Sequence, residues 1–104
     1  MLEGNLYTVL SRSEASARVK FLPESPIYAA HFPEYPITPG VCLVQMALEL
    51  MGCTLKGAKD IKFVMPVFPE AELRLEWTVQ EGRADVSLFL EPPGDLCAKM
   101  TLSV

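Results

Sequence analysis

Histidine is nearly missing from this chain: His31 is the single imidazole among 104 residues. Cysteine is scarce as well, and Cys42, Cys53 and Cys97 are odd in number and widely spaced. They make no disulfide framework and no CxxC pair, and with His31 they offer no local pair of zinc ligands. A glycine-rich phosphate loop and a metal-ligand helix motif are both lacking, so neither a metal nor a bound cofactor is expected. Basic residues are few: nine Lys and Arg against thirteen Asp and Glu leave a net charge of −4. That balance argues against a general phosphate-binding surface, and so against a nucleic-acid partner. The opening MLEGNLYTVL has no basic start before a long apolar run, so no signal peptide is expected. The longest apolar stretch, Val41 to Cys53, is broken by Gln45 and Glu49 and is too short to span a bilayer. These absences predict a cytoplasmic protein without a membrane partner.

What is present is apolar. Half of the residues are hydrophobic and only 21% are charged, which fits one folded domain over residues 1–104. A chain this short leaves much of its surface exposed. The surplus therefore suggests a subunit interface or a greasy ligand channel, or at its plainest a thick core.

Alternation places strands at Leu6 to Leu10, Ala15 to Phe21, Lys59 to Val64, Glu72 to Gln80, Arg83 to Glu91 and Leu96 to Val104. Glu81-Gly82 and Pro92-Pro93-Gly94 supply turns between the last three. Pro23 to Pro39 reads as a loop stiffened by five of the nine prolines. A helix follows, with Thr38 as its expected N-cap, Pro39 as its first residue and Gly52 as its stop. From Val41 to Met51 only Gln45 and Glu49 are polar, and being four apart they share one stripe. A helix apolar nearly all round is buried. Met46, Leu50, Trp77 and Phe89 are expected in the core or along a channel wall. The apolar helix surroundings make Cys42 and Cys53 packing residues. The sum is α+β: a sheet of about six mostly antiparallel strands wrapped around one long central helix, which is the hotdog arrangement.

The stretch richest in chemistry is HFPEYPITPGV, residues 31–41. It carries His31 on a proline-stiffened loop that runs straight into the helix N-terminus. Free N–H groups at such a terminus attract an anion or a developing oxyanion. Gly40 lets a ligand approach the backbone closely. A histidine beside an oxyanion donor suits proton abstraction next to a carbonyl.

This stretch resembles the (3R)-hydroxyacyl-acyl carrier protein dehydratases, whose pattern is HFPGxPxxPGVxxxE. The matches are His31, Phe32, Pro33, Pro36, Pro39, Gly40 and Val41. The likeness continues through Lys62-Phe63 and Pro66-Val67 to Leu73 and covers most of the chain. The N-terminal helical segment of the long members is missing. The chain is in this respect similar to short relatives from aryl-polyene and polyketide-type gene clusters.

The resemblance implies a hotdog homodimer with its site at the interface and an acyl tunnel along the central helix. It implies that the substrate is a 3-hydroxyacyl thioester on acyl carrier protein and the product a trans-2-enoyl thioester. By position, His31 would take the C2 proton and the N–H of Gly40 would hold the thioester carbonyl. Phe32, Pro39 and Val41 would line the substrate. A carboxylic acid on the partner's helix would protonate the leaving hydroxyl.

The sequence departs from the pattern at that last role, because Gln45 stands where the family has Glu or Asp. An amide has no carboxylic proton to give. Glu49, one turn along on the same stripe, is the candidate replacement. A heterodimer, in which a different hotdog subunit supplies the carboxylate, is another. Ala30 and Glu34 replace family glycines, and Val64-Met65 replace basic residues before Pro66-Val67. Lys56, Lys59 and Lys62 are then the available basic face for an acidic carrier protein, or simply a solvated one. Two further readings stand beside the dehydratase. One is a non-catalytic subunit that binds acyl chains or supports an active partner. The other is a hotdog thioesterase using Glu49 to activate water.

Overall fold

The computed structural model describes residues 1–30, 34 and 36–104. Among the described residues there are six strands: β1 (Tyr7–Arg12), β2 (Ser16–Phe21), β3 (Gly57–Phe63), β4 (Glu72–Gln80), β5 (Arg83–Leu90) and β6 (Leu96–Ser103). Two helices, α1 (Pro26–Ala30) and α2 (Gly40–Met51), lie between β2 and β3. The strands form one sheet in the order β1-β2-β4-β5-β6-β3, every neighbour antiparallel. This is the expected α+β hotdog architecture.

Period-2 alternation gives the sheet one apolar face. Ala17, Val19 and Phe21 of β2, Leu73, Leu75 and Trp77 of β4, and Ala84, Val86 and Leu88 of β5 are all buried. Ala98, Met100 and Leu102 continue the face on β6. Leu43, Met46, Ala47 and Leu50 of α2 join the same core. Each large side chain buried there contributes roughly 1.5–3 kcal/mol. The β4–β5 hairpin turns at Glu81 (φ 49°) and Gly82 (φ 78°), two consecutive left-handed residues that match the twist of the flanking strands.

Three local expectations are corrected, and one residue departs from the burial of its strand face. Phe89 is not in the core; it lies half-buried with the Arg74 guanidinium 4.3 Å from its ring centre. It follows Leu88 and so points to the other face of the sheet, where a cation over the ring replaces core packing. Val79 keeps the alternation of β4 but is exposed, because it lies near the strand's end. Residues 23–39 are not all loop, because α1 occupies Pro26–Ala30. Pro26 has the φ a first helical turn needs, and buried Ser25 stands before it with its hydroxyl 3.4 Å from the Ile27 N–H. Finally, Pro39 and not Thr38 is the N-cap of α2. Pro39 is extended (φ −60°, ψ 140°), and its carbonyl accepts the N–H groups of Cys42 and Leu43. The C-terminal stop is Gly52, left-handed at φ 69°. Beside it the Arg12 guanidinium donates to the Leu50 carbonyl at 2.5 Å, a cation where helix carbonyls are left over.

Burial of α2 is one-sided. Val41 is 76% exposed, Gln45 is exposed and Glu49 is partly so. At spacings of four these three make a stripe turned away from the sheet. Among the described residues, no helix is long and apolar enough to cross a membrane.

Candidate active site

Two features build the site: the N-terminus of α2 and an apolar cleft beside it. The Pro39 carbonyl already takes the N–H groups of Cys42 and Leu43. The N–H groups of Gly40 and Val41 come too early in the helix to have an intrahelical acceptor. They are the donors on offer to a developing negative charge. Gly40 also lines a cleft of about 340 Å³ with Ile37, Leu43, Phe63, Met65 and Val67. An apolar cleft ending at unspent backbone donors suits a ligand with a greasy chain and a carbonyl head.

The closeness that Gly40 permits is used by Phe63. A Cβ on Gly40 would stand 2.5 Å from Cζ of that ring. Phe63, at the end of β3, is itself half exposed. The ring thus borders both the helix N-terminus and the cleft.

Described residues on either side of the HFP stretch are hydrogen-bonded to each other and to the cleft wall. Tyr28 of α1 and Thr38 share a 2.8 Å hydrogen bond between buried hydroxyls. The Thr38 N–H donates to the Val67 carbonyl at 2.7 Å. Thr38 is therefore spent as an anchor, which accounts for its absence from the cap. Ala30 ends α1 in helical backbone, so alanine there needs no left-handed conformation. His31 and Phe32, the candidate base and a candidate substrate contact, lie outside the described residues, as do Pro33 and Tyr35.

Glu49 sits in a cluster that the sequence alone does not reveal. The Leu2 N–H reaches both of its oxygens, at 3.1 and 2.9 Å, and the Glu3 N–H reaches Oε1 at 3.2 Å. The Tyr7 hydroxyl donates to Oε1 at 2.9 Å, and Gln45 Nε2 to Oε2 at 3.1 Å. Burial pushes the Glu49 carboxyl up, but the bonds from Leu2, Gln45, Tyr7 and Glu3 outweigh it and hold it below its ordinary value. Burial, then the bond to Glu49, push the Tyr7 phenol upward, so it keeps its proton and donates. Glu49 is therefore an ionised acceptor near neutrality, engaged by four donor groups. The structure joins Gln45 to Glu49 and places Gly40 at the cleft's helix end, with Pro39 before it as the N-cap. Val41 opens to solvent on the Gln45 side of α2.

Cys42, Cys53 and Cys97 are free thiols. Burial pushes Cys97 up to about 11 and raises Cys42, which keeps both protonated and unreactive. Tyr7, Tyr28 and the backbone of Leu2 and Glu3 are the members of the site region that sequence reasoning missed. The Ser25-Pro26 helix start was the one local signal for Tyr28. Nothing local marks Tyr7.

Comparison with known proteins bears on the family and the fold. The family described as ApeI-like, ApeI dehydratase, matches residues 8–100. The 3-hydroxyacyl-acyl-carrier-protein dehydratase FabZ of Zymomonas mobilis is 34% identical over 79 residues, covering 62% of this chain and 50% of that protein. The enzyme of the same name from Clostridioides difficile is 31% identical over 58 residues, 55% of this chain and 41% of that one. The chain thus matches about half the length of these relatives or less. Among solved structures, the dehydratase heterocomplex ApeI:P from Xenorhabdus doucetiae superposes with a TM-score of 0.72. Its identity is 18%, over 93% of this chain and 96% of that one. An uncharacterised protein from Erwinia carotovora gives a TM-score of 0.76 at 19% identity, over 94% of each chain.

Proposed function

The chain belongs to the ApeI-like dehydratase family, and on that premise we propose that it removes water from a 3-hydroxyacyl thioester carried on acyl carrier protein. The observation that carries the reading is the α2 N-terminus. It opens on an apolar cleft directly after the His31 motif. The N–H of Gly40 donates to the thioester oxygen and stabilises the charge that builds there as C2 loses its proton. His31 is the base that takes that proton. The electron pair left at C2 forms the C2–C3 double bond as the C3–O bond breaks. Glu49 is ionised and has no proton to give, and Gln45 is an amide. The imidazolium made in the first step therefore returns its proton to the leaving hydroxyl. Water and a trans-2-enoyl thioester result, with His31 restored. No cofactor is needed for this balance.

The proposed assembly is a homodimer in which the exposed stripe of α2 meets a second copy. Pro39, Val41 and Phe32 then border the acyl chain. The test is incubation with a 3-hydroxyacyl-loaded carrier protein, read by mass spectrometry of the carrier arm. Enoyl product is expected, and His31→Ala should lower turnover by about 10²–10⁴-fold. Binding without enoyl product, together with no effect of His31→Ala, would remove the enzyme reading.

Gln45 favours a second reading, a non-catalytic subunit that supports a different active partner. The ApeI:P neighbour is a dehydratase heterocomplex, which makes such pairing concrete. Under it, Gln45→Glu raises dehydration by restoring a carboxylic acid. Under the first reading the same change lowers it. A thioesterase that used Glu49 to activate water would need that carboxylate free, and four donor groups occupy it.

A further inference from the structure

Gln45 and Glu49 form a pair whose internal order is fixed by chemistry. An ionised carboxylate only accepts hydrogen bonds, so the group that Gln45 turns toward it must be the amide NH2. The 3.1 Å contact from Nε2 to Oε2 is that bond. Glu49 is itself held by Leu2, Glu3 and Tyr7, so it is not free to follow the amide. With Nε2 committed, the carbonyl Oε1 of Gln45 is the end left for a ligand, on an exposed stripe one turn from Val41.

We propose that Glu49 is a positioning residue that turns the Gln45 carbonyl outward, and that this carbonyl accepts the hydrogen of the substrate's 3-hydroxyl group. The inference rests on the acyl-thioester reading above. It adds that the residue at the acid position recognises the hydroxyl as an acceptor and donates no proton. A ligand that carries the 3-hydroxyl is then favoured over the same chain without it. An amide free to rotate would show either end and lose that preference.

The probes are the pantetheine amides of 3-hydroxyoctanoate and of octanoate. The amide link makes C2 too weakly acidic for elimination, so binding is read without turnover. Calorimetric titration of the intact protein should show the hydroxylated probe binding up to about tenfold more tightly, the worth of one hydrogen bond. Glu49→Gln should erase the difference between the two probes. Gln45→Leu should erase it as well and serves if Glu49→Gln does not fold. A side-chain readout separates positioning from mere stability. One Gln45 Nε2 proton should be shifted downfield and slow to exchange in the wild-type amide spectrum, and lose both properties in Glu49→Gln. Equal affinity for the two probes in the wild-type protein overturns the proposal, as does a preference that survives Gln45→Leu. Failure of both probes to bind overturns the acyl-thioester reading itself, and this inference with it.

Discussion

A Cβ placed on Gly40 would lie 2.5 and 2.7 Å from Cζ and Cε2 of Phe63, and this contact decides what a substitution there does. In an open helix, alanine for glycine gains up to about 1 kcal/mol. Here the ring must move or the helix must start elsewhere, and overpacking of this kind costs about 1–3 kcal/mol. Gly40→Ala is therefore expected to lower stability in urea unfolding, against the propensity trend. Phe63→Leu in the same chain should recover most of the loss. An alanine variant as stable as wild type would mean that the ring does not stand there. Glu49 gives a second residue-scale prediction, this one in pH. Its folded carboxyl titrates below its unfolded value, so its stabilising effect is complete above about pH 4.3, the ordinary glutamate value. That effect drains away as pH falls through the lower folded value. Glu49→Gln should flatten the acid limb of the stability curve and destabilise the neutral protein by about 2 kcal/mol, through lost charge-assisted bonds to Leu2, Glu3 and Tyr7. An unchanged acid limb would show that the N-terminal residues are not clamped there.

Elements differ in how far the sequence announces them, and the reasons are physical. Strands β2, β4 and β5 follow from alternation because one face of each is buried and the other wet, which is the condition for a period of two. The end of α2 is legible at Gly52 because a left-handed stop has a residue-type signature. Its start is misread by one residue, since Thr38 is drawn away by Tyr28, ten positions earlier. Glu49 was legible as a stripe neighbour of Gln45, but not its four donor groups, because three of them come from residues 2, 3 and 7. Long-range hydrogen bonds leave no periodic trace. The Tyr28–Thr38 bond closes the segment that bears the HFP motif, which gives it a testable role. Tyr28→Phe leaves the Thr38 hydroxyl buried and unpaired, at an expected cost of about 1–3 kcal/mol. Tyr28→Phe with Thr38→Val removes both partners and should regain much of that stability. If the bond also sets the loop's shape, kcat falls in both variants while stability falls mainly in the first. Equal kcat in all three proteins would reduce the bond to a packing detail.

At the scale of the whole molecule, the apolar surplus is only partly absorbed by the core. The sheet buries Leu43, Met46, Ala47 and Leu50 of α2 and leaves Val41 to solvent, while Phe63 and Val64 of the cleft wall are about half exposed. The proposed second copy would cover these residues. The proposed dimer makes a specific demand: Val41 should be silent in the stability of one chain and decisive in the association of two. Val41→Glu places a charge on the exposed stripe without touching the buried face. Its folded state should match wild type by circular dichroism. Light scattering should show wild type at twice the chain mass and the variant shifted toward one chain. If His31 of one copy works beside the α2 stripe of the other, turnover falls with the dimer population and recovers at high protein concentration. A variant that is monomeric at every concentration yet keeps full turnover would place the complete site within a single chain.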